Sequence, residues 1–158
     1  MSEVFIEYSD NVSAFVEARE KKIIAYINTL VELFNEASKS VNLLICDQET
    51  IKTLNSEYRH KNQPTDILSW AYDESEMIQI PGEPEVWGDL ALCLDVCIKQ
   101  AQESRWDIDT ELIRLLVHGL SHLAGYDHQT PEDEKKMLRL ETELLSKIGF
   151  DDIYNPIE

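Results

Sequence analysis

Residues 110–128 have the sequence T-E-L-I-R-L-L-V-H-G-L-S-H-L-A-G-Y-D-H, which is the most informative stretch of the chain. Its first half is strongly apolar, as expected of a buried helix that begins at Asp109 or Thr110. Its second half holds three of the protein's four histidines. The stretch therefore predicts a rigid helix that is anchored in the core and carries a cluster of imidazoles at its end.

The spacing of these histidines predicts a metal site. His118 and His122 are four residues apart, so their side chains lie on one face of a helix, one turn from each other. Gly125 lets the backbone leave the helix through a left-handed conformation, and the chain can then return His128 as a third ligand. Three neutral imidazoles suit Zn²⁺ and leave a fourth position for water or substrate, as in catalytic zinc sites.

The same run matches the metzincin pattern H-E-x-x-H-x-x-G-x-x-H at every position except the glutamate, which is Gly119 here. A zinc amidohydrolase or peptidase is therefore one hypothesis for this chain. It is opposed by the missing glutamate, since the general base would have to come from elsewhere.

Asp127 has two possible roles. It could orient a histidine ligand without binding the metal itself, or it could be a turn residue ahead of the next helix, and the sequence favours neither.

Length and composition predict one α/β domain over residues 1–158. The chain is long enough to bury a core, and its hydrophobic content of 43% and charged content of 28% are ordinary for a globular protein. The first residues resemble no signal peptide, and no apolar run approaches the ~20 residues of a membrane span, so we expect a cytoplasmic protein without membrane contact. Its three cysteines are interpreted as reduced, buried thiols, and Cys93 and Cys97 as packing residues rather than a second metal pair.

The net charge of −17 argues against a protein that binds nucleic acid through a broad basic face, and we expect no DNA partner. The charge is unevenly distributed, however. Residues 73–89 contain six carboxylates and no Lys or Arg, whereas residues 52–61 contain three basic side chains and one Glu. A small basic spot of this kind is compatible with a local phosphate site.

Hydrophobic periodicity and cap residues predict four strands and four or five helices, packed as an α/β fold around a small mixed sheet. The acidic, proline-containing stretch before residue 89 is expected to be an exposed, mobile loop. The expected strands are residues 4–8, 41–46, 66–72 and 88–94. The expected helices begin at the caps Ser13, Asp47, Asp95, Asp109 or Thr110, and Thr130.

Four stretches together resemble the YbeY family, metal-dependent endoribonucleases of rRNA maturation. They are the histidine run, Y-R-H-K-N-Q-P-T-D-I-L-S-W at 58–70, W-G-D-L-A-L-C at 87–93 and E-D-E-K-K-M-L-R-L-E-T-E-L-L at 132–145. The resemblance covers two thirds of the chain or more. Ser121, Trp70 and Asn62 depart from the Leu, Phe and Asp that the family pattern leads us to expect, and none of them is one of the three histidines.

The resemblance implies one zinc ion held by His118, His122 and His128, with Arg59 and His118 as catalytic residues. It also implies a single-strand-specific enzyme that processes the 3′ end of small-subunit rRNA and takes part in ribosome quality control in the bacterial cytoplasm. The implied partners are rRNA and the ribosome or its small subunit. A non-catalytic ribosome-assembly module with a structural zinc is the remaining alternative, and it would require a fourth protein ligand.

The residues around Arg59 can be interpreted without the family. A guanidinium is a planar, bidentate donor that matches a phosphate, but an Arg at a helix C-terminus can also be a solvated surface residue. His60 is expected to be exposed, and Gly88-Asp89 to open a strand rather than line the cleft. Trp70 and Tyr72 could stack on a base, although packing in the core is the favoured interpretation. The nucleophile could be metal-bound hydroxide or the 2′-OH of the RNA itself.

Overall fold

The computed structural model describes residues 3–72 and 85–151, which form an α/β fold with four strands and five α-helices. A mixed four-stranded sheet with four to five helices was the prediction, and it is confirmed. The strands are β1 (Val4–Tyr8), β2 (Lys39–Cys46), β3 (Ile67–Ala71) and β4 (Glu85–Cys93). The helices are α1 (Ser13–Leu33), α2 (Gln48–Arg59), α3 (Leu94–Ser104), α4 (Ile108–Leu123) and α5 (Pro131–Lys147).

The sheet has the strand order β1-β2-β4-β3. The first three strands are parallel, and β3 runs antiparallel to β4 along the other edge. Parallel neighbours need crossover connections, and α1 supplies the one from β1 to β2. Because the central strands β2 and β4 are covered on both faces, they read as nearly continuous apolar runs in the sequence.

The core lies on two sides of this sheet. The larger cluster packs one face against α1 and α4 and includes Leu43, Leu90 and Leu92. The smaller cluster lies under α2 on the other face and includes Cys46 and Cys93. Helix α4 contacts β3, β4, α1, α3 and α5, so the element that carries two of the histidines is fixed from several directions.

The three cysteines are buried and unpaired, as the sequence predicted. Burial raises the pKa of the Cys46 and Cys97 thiols to about 12. A thiol with so high a pKa is neutral near pH 7 and is a poor nucleophile or metal ligand. Cys93 and Cys97 pack in different clusters, which fits their interpretation as packing residues.

Two of the predicted helix caps are confirmed. The Asp47 carboxylate accepts a hydrogen bond from the backbone N–H of Thr50 at 2.8 Å, at the start of α2. The Thr130 hydroxyl accepts one from the N–H of Asp133 at 3.1 Å, and Pro131 occupies the first turn of α5. Such side-chain caps satisfy N–H groups that have no partner within the helix.

Other boundaries differ from the prediction by one to three residues. Ser13 is the first residue of α1 rather than its cap, because a 3₁₀ turn at Asp10–Val12 leads directly into the helix. Helix α3 begins at Leu94, and α4 begins at Ile108 after Asp107 in the cap position. Strand β2 begins at Lys39 instead of residue 41.

Strand β4 also begins earlier than expected, at Glu85 instead of Gly88, because its first residue pairs with Lys39 of β2. The register of that pairing shifts between Ser40 and Val41, and this irregularity hides the alternation from which a strand is recognised. Residues 85–89 of the acidic stretch are therefore strand rather than loop. Residues 73–84, for which an exposed loop was expected, lie outside the described residues.

Within the described part of the chain, no helix combines the length and the apolar character that crossing a membrane requires.

Candidate metal centre

His118 and His122 stand in the last two turns of α4, on the same face of the helix, as their spacing predicted. Their Nε2 atoms are 3.2 Å apart, and the ring planes are nearly perpendicular at 89°. Both side chains are partly buried, because the flanking residues of α4 lie in the core. The helix thus presents two ring nitrogens at one point on the surface of a rigid element.

Gly125 turns the chain at the end of α4, and this turn brings in the third histidine. Its φ of 99° lies in the region that glycine enters without strain. The N–H of Tyr126 reaches back to the carbonyl of Ser121 at 3.1 Å and closes the helix end. The His128 ring then lies with its centroid 5.3 Å from that of His122 and 6.0 Å from that of His118.

The ligating nitrogens of the three histidines all lie within 4.8 Å of one another, so the group could hold a metal ion. Burial, followed by the charges of His118 and His128, lowers the pKa of His122 below its ordinary value. A lowered pKa favours the neutral imidazole, which is the form that binds a metal. The structure therefore brings together the three residues that the sequence proposed as ligands.

Glu141 is a residue of this site that the sequence analysis missed. It lies on α5, is 4% exposed, and its Oε1 atom is 2.7 Å from Nδ1 of His118. A signal for it was present in the sequence, because Glu141 falls on the buried stripe of α5 formed by Met137, Leu144 and Leu145. A carboxylate in such a stripe needs a polar partner. This need could have identified Glu141 from the sequence as a residue with a polar contact inside the fold.

Asp127 takes the role of a turn residue. Its Oδ1 atom accepts a hydrogen bond from the backbone N–H of the adjacent His128 at 2.8 Å. The negative charge of Asp127 raises the pKa of His122, but this effect is smaller than that of burial. Asp127 thus shapes the backbone at the third histidine rather than holding a ring nitrogen by a hydrogen bond.

Arg59, the last residue of α2, lines the same cavity as the three histidines. The cavity has a volume of about 670 Å³ and lies between the end of α2, β3 and the loop after α4. One terminal nitrogen of Arg59 donates to the carbonyl of Ser69 on β3 at 2.7 Å, which holds the guanidinium along the wall. Lys61 also lines the cavity, so the basic spot predicted from the sequence lies beside the histidines.

His60 ends α2 in a left-handed conformation with φ of 58° and is exposed, as expected. The turn that follows it is held by the side chain of Asn55, which donates to the carbonyl of Gln63 at 2.8 Å. This turn forms part of the cavity wall and places Lys61 there. The reversal at His60 is therefore what separates Arg59 on the helix from Lys61 on the turn.

Trp70 and Asp89 lie on the other face of the sheet, where they line a second cavity. Trp70 packs with the α2-side cluster and against Tyr58 in an edge-on contact at 5.5 Å, as the packing interpretation expects. Core packing was also favoured for Tyr72, but this residue is 39% exposed, and its hydroxyl donates to Asp89 Oδ2 at 2.7 Å. Asp89 is thus a strand residue that faces away from the histidines.

Gly119 occupies the position at which the metzincin pattern has its glutamate. A Cβ atom placed at this position would lie 2.8 Å from Cδ1 of Ile67 and 2.9 Å from Cδ2 of Leu90. Position 119 therefore points into the contact between α4 and the sheet, and any side chain there would meet the core before it reached the cavity. This geometry disfavours a metzincin-type general base at position 119.

Comparisons with known proteins point to one family. The family model described as "Endoribonuclease YbeY" matches residues 6–149. A protein of that name from Symbiobacterium thermophilum is 36% identical over 153 residues, covering 94% of this chain and 98% of its own. The Bacillus cereus protein of the same name is 35% identical and covers 86% and 95% of the two chains.

A third relative of that name, from Paramagnetospirillum magneticum, is 34% identical and covers 87% of this chain and 84% of its own. The solution structure of TM1509 from Thermotoga maritima shares the fold, with a TM-score of 0.55 and 22% identity over 100% of this chain and 99% of that one. The family model spans nearly the whole described structure, including the histidine run, Arg59 and Glu141. The chain therefore belongs to the YbeY family of endoribonucleases.

Proposed function

We propose that this protein is a zinc-dependent endoribonuclease that cuts single-stranded RNA in the maturation of the 3′ end of small-subunit rRNA. The observation that carries the proposal is that three convergent histidines and the guanidinium of Arg59 line one cavity. Membership of the YbeY family supplies the class of reaction, since the relatives reported above are named endoribonucleases.

The donor set supports zinc as the metal. Three imidazole nitrogens are borderline-soft ligands that suit Zn²⁺, and three protein ligands are typical of a catalytic site. Among the residues that the structure describes, the group contains three ligating side chains, whereas a structural zinc takes four. This count favours an enzyme over an assembly module with a structural zinc. When bound, the ion would lower the pKa of a coordinated water to ~7 and polarise a phosphoryl oxygen.

Arg59 is proposed to bind the phosphate at which the RNA is cut. A guanidinium carries five N–H donors in a flat fork that matches two phosphate oxygens. The carbonyl of Ser69 accepts from one of its terminal nitrogens, which fixes the direction of the fork along the cavity wall. A donor that is already oriented stabilises the charge that develops on the phosphate at little cost of reorganisation.

The preference for single strands is supported by the position of the ligands. His118 and His122 are partly buried at a cavity, not on a flat surface, so a flexible strand can approach them more closely than a stiff duplex. The cavity has two basic side chains, Arg59 and Lys61, on a chain of net charge −17. Contact with RNA is therefore expected to be short and local.

The setting proposed for this activity is the bacterial cytoplasm, with rRNA on the small ribosomal subunit as substrate and ribosome quality control as a further role. Residues 1–158 are proposed to act as one catalytic domain. These proposals follow from the family, and they are compatible with the described helices, none of which is suited to span a membrane.

The direct test is incubation of the purified, zinc-loaded protein with a small-subunit rRNA fragment that carries an unprocessed 3′ extension. We expect cleavage in the single-stranded extension, slower cleavage when a complementary oligonucleotide makes it a duplex, and no cleavage by His118→Ala. Product ends identify the nucleophile, because attack by the 2′-OH leaves a 2′,3′-cyclic phosphate and attack by water does not. Equal cleavage by wild type and His118→Ala would contradict the proposal.

A further inference from the structure

We propose that Glu141 is a positioning residue that selects Nε2 of His118 as the metal-binding atom and couples metal binding to the docking of α5. The inference rests on the proposed zinc site. It concerns a residue on another helix, 23 positions along the chain from His118.

The carboxylate of Glu141 is buried in the protein. The residue is 4% exposed and lies between the buried side chains of Met137 and Leu144 on the inner face of α5. Removing a carboxylate from water is costly unless a hydrogen bond compensates it. Nδ1 of His118 supplies this hydrogen bond at a distance of 2.7 Å.

The contact with Glu141 determines the tautomer of His118. A carboxylate oxygen is an acceptor, so the nitrogen that faces it is the one that carries a hydrogen. Nδ1 of His118 therefore donates, and Nε2 keeps its lone pair. Nε2 is the atom that lies 3.2 Å from Nε2 of His122, on the side where the three histidines converge. Glu141 thus prepares His118 in the form that a metal binds, and its negative charge makes the imidazole a stronger ligand.

The position of Glu141 in the fold links the histidines to the packing of α5 on α4. The hydrogen bond joins α4 to α5, and the short connection between these two helices carries His128. His118 and His128 are therefore both placed by the way that α5 packs on α4. Among the described residues, His118 is the helical ligand whose ring contacts a carboxylate of another helix.

The test compares Glu141→Gln with a matched control, Glu143→Gln, on the same helix. Glu143 is exposed over 62% of its side chain and pairs with Lys147 in the same helix, so its substitution removes a charge without touching the histidines. Gln at 141 keeps the size of the side chain but loses the charge, and its NH₂ group can face Nδ1 and stabilise the wrong tautomer. The affinity of each full-length, metal-free protein for Zn²⁺ is measured by competition with a chromophoric chelator.

We expect Glu141→Gln to bind Zn²⁺ ten- to a hundredfold more weakly than wild type, the usual range for loss of a carboxylate behind a metal-bound histidine. Glu143→Gln should bind like wild type. Zinc should also slow amide hydrogen exchange in the second half of α5 of the wild-type protein, and this protection should shrink in Glu141→Gln. Equal zinc affinity in the two variants would overturn the role of Glu141.

A second measurement needs no variant and decides the matter if Glu141→Gln fails to fold. ¹⁵N NMR of the wild-type imidazoles should show His118 protonated at Nδ1 without metal and coordinated through Nε2 with Zn²⁺. Coordination through Nδ1 would overturn the inference. Wild-type protein that binds no zinc would overturn it together with the proposed function, whereas zinc binding without RNA cleavage would contradict the proposed function alone.

Discussion

Arg59 is an exposed residue that lies on the wall of the histidine cavity. It is exposed, it is held by one hydrogen bond to the Ser69 carbonyl, and it lines the cavity of the histidines. Its position is compatible with the proposed contact to a phosphate, and its exposure means that the core does not depend on it. Function and stability can therefore be separated at this residue.

Replacing Arg59 by Ala should lower RNA cleavage by on the order of a hundredfold, the scale for loss of one preoriented charge-stabilising donor. Zinc content should be unchanged, and the free energy of unfolding should change by no more than ~0.5 kcal/mol, as for other exposed substitutions. Arg59→Lys should recover part of the activity, because an ammonium keeps the charge but loses the fork. Rates, metal analysis and urea unfolding measure these three quantities.

The control is Arg139→Ala, which removes an exposed arginine from α5, outside the metal cavity. It should leave cleavage at the wild-type rate. Arg59→Ala protein that cuts RNA normally would remove Arg59 from the site, and loss of zinc from that variant would make Arg59 a structural residue instead.

Gly125 and Gly149 offer a matched pair for testing the turn that carries His128. Both have a positive φ, 99° and 96°, and a Cβ at either position would meet no atom within 4 Å. Replacement by Ala should destabilise the fold by about 1 kcal/mol at each, because only the backbone is strained. Gly125→Ala alone should also weaken zinc binding, since the strain displaces His128. Thermal unfolding and zinc titration of both variants measure this, and equal zinc affinities would contradict it.

At the scale of the elements, two glycines mark where α4 and the sheet approach each other most closely. A Cβ at Gly88 would lie 2.5 Å from the backbone carbonyl oxygen of Trp70 on the neighbouring strand and 2.5 Å from Leu123. A Cβ at Gly119 would meet only side-chain ends, those of Ile67 and Leu90. Backbone in a paired strand can yield less than the end of a side chain.

Gly88→Ala should therefore destabilise the protein more than Gly119→Ala. We expect a loss of about 1–3 kcal/mol at Gly88, as for other overpacked positions. The loss of stability at Gly119 should be smaller, because Ala stabilises a helix by about 1 kcal/mol relative to Gly and this gain offsets part of the overpacking. Urea unfolding at equilibrium gives both values. The opposite order would mean that the α4–sheet contact, rather than the strand pairing, is the more rigid of the two.

The elements that the sequence predicted well are those with local signals. Asp47 and Thr130 announce the starts of α2 and α5, because a cap bonds within three residues of itself. The start of β4 could not be read in this way, since the register shift opposite Val41 depends on the partner strand. The place of Glu141 on the buried stripe of α5 indicates that it needs a polar partner, but no local pattern identifies that partner as His118 on another helix.

The sequence predicted the candidate site more completely than it predicted the ends of the helices and strands. The i, i+4 pair with a glycine exit fixes three histidines on one helix end, so the convergence of His118, His122 and His128 follows from local geometry. The approach of Arg59 to these histidines depends on how α2 and β3 are placed in the fold. From the residues alone it was one of two open interpretations, and only the family resemblance favoured it.

At the scale of the whole molecule, the net charge of −17 opposes RNA binding, so we expect the attraction to come from a small basic spot. Two basic side chains line the cavity, Arg59 and Lys61. Binding of a non-cleavable single-stranded RNA should therefore weaken with salt at a log–log slope of about −1 to −1.5, as for about two phosphate contacts. Lys61→Ala should make this slope shallower. A slope steeper than about −4, measured by fluorescence anisotropy, would imply an extended basic surface and contradict binding through this small basic spot.

One zinc ion, held by three histidines, is proposed to be what enables this protein to cut RNA. The most direct test is to titrate metal-free protein with Zn²⁺ while the rate of cleavage of a single-stranded rRNA fragment and the bound zinc are measured on the same samples. We expect no cleavage without zinc and a rate that rises linearly and levels off at about one zinc ion per chain. Cleavage by the metal-free protein, or a rate that does not follow the bound zinc, would contradict it.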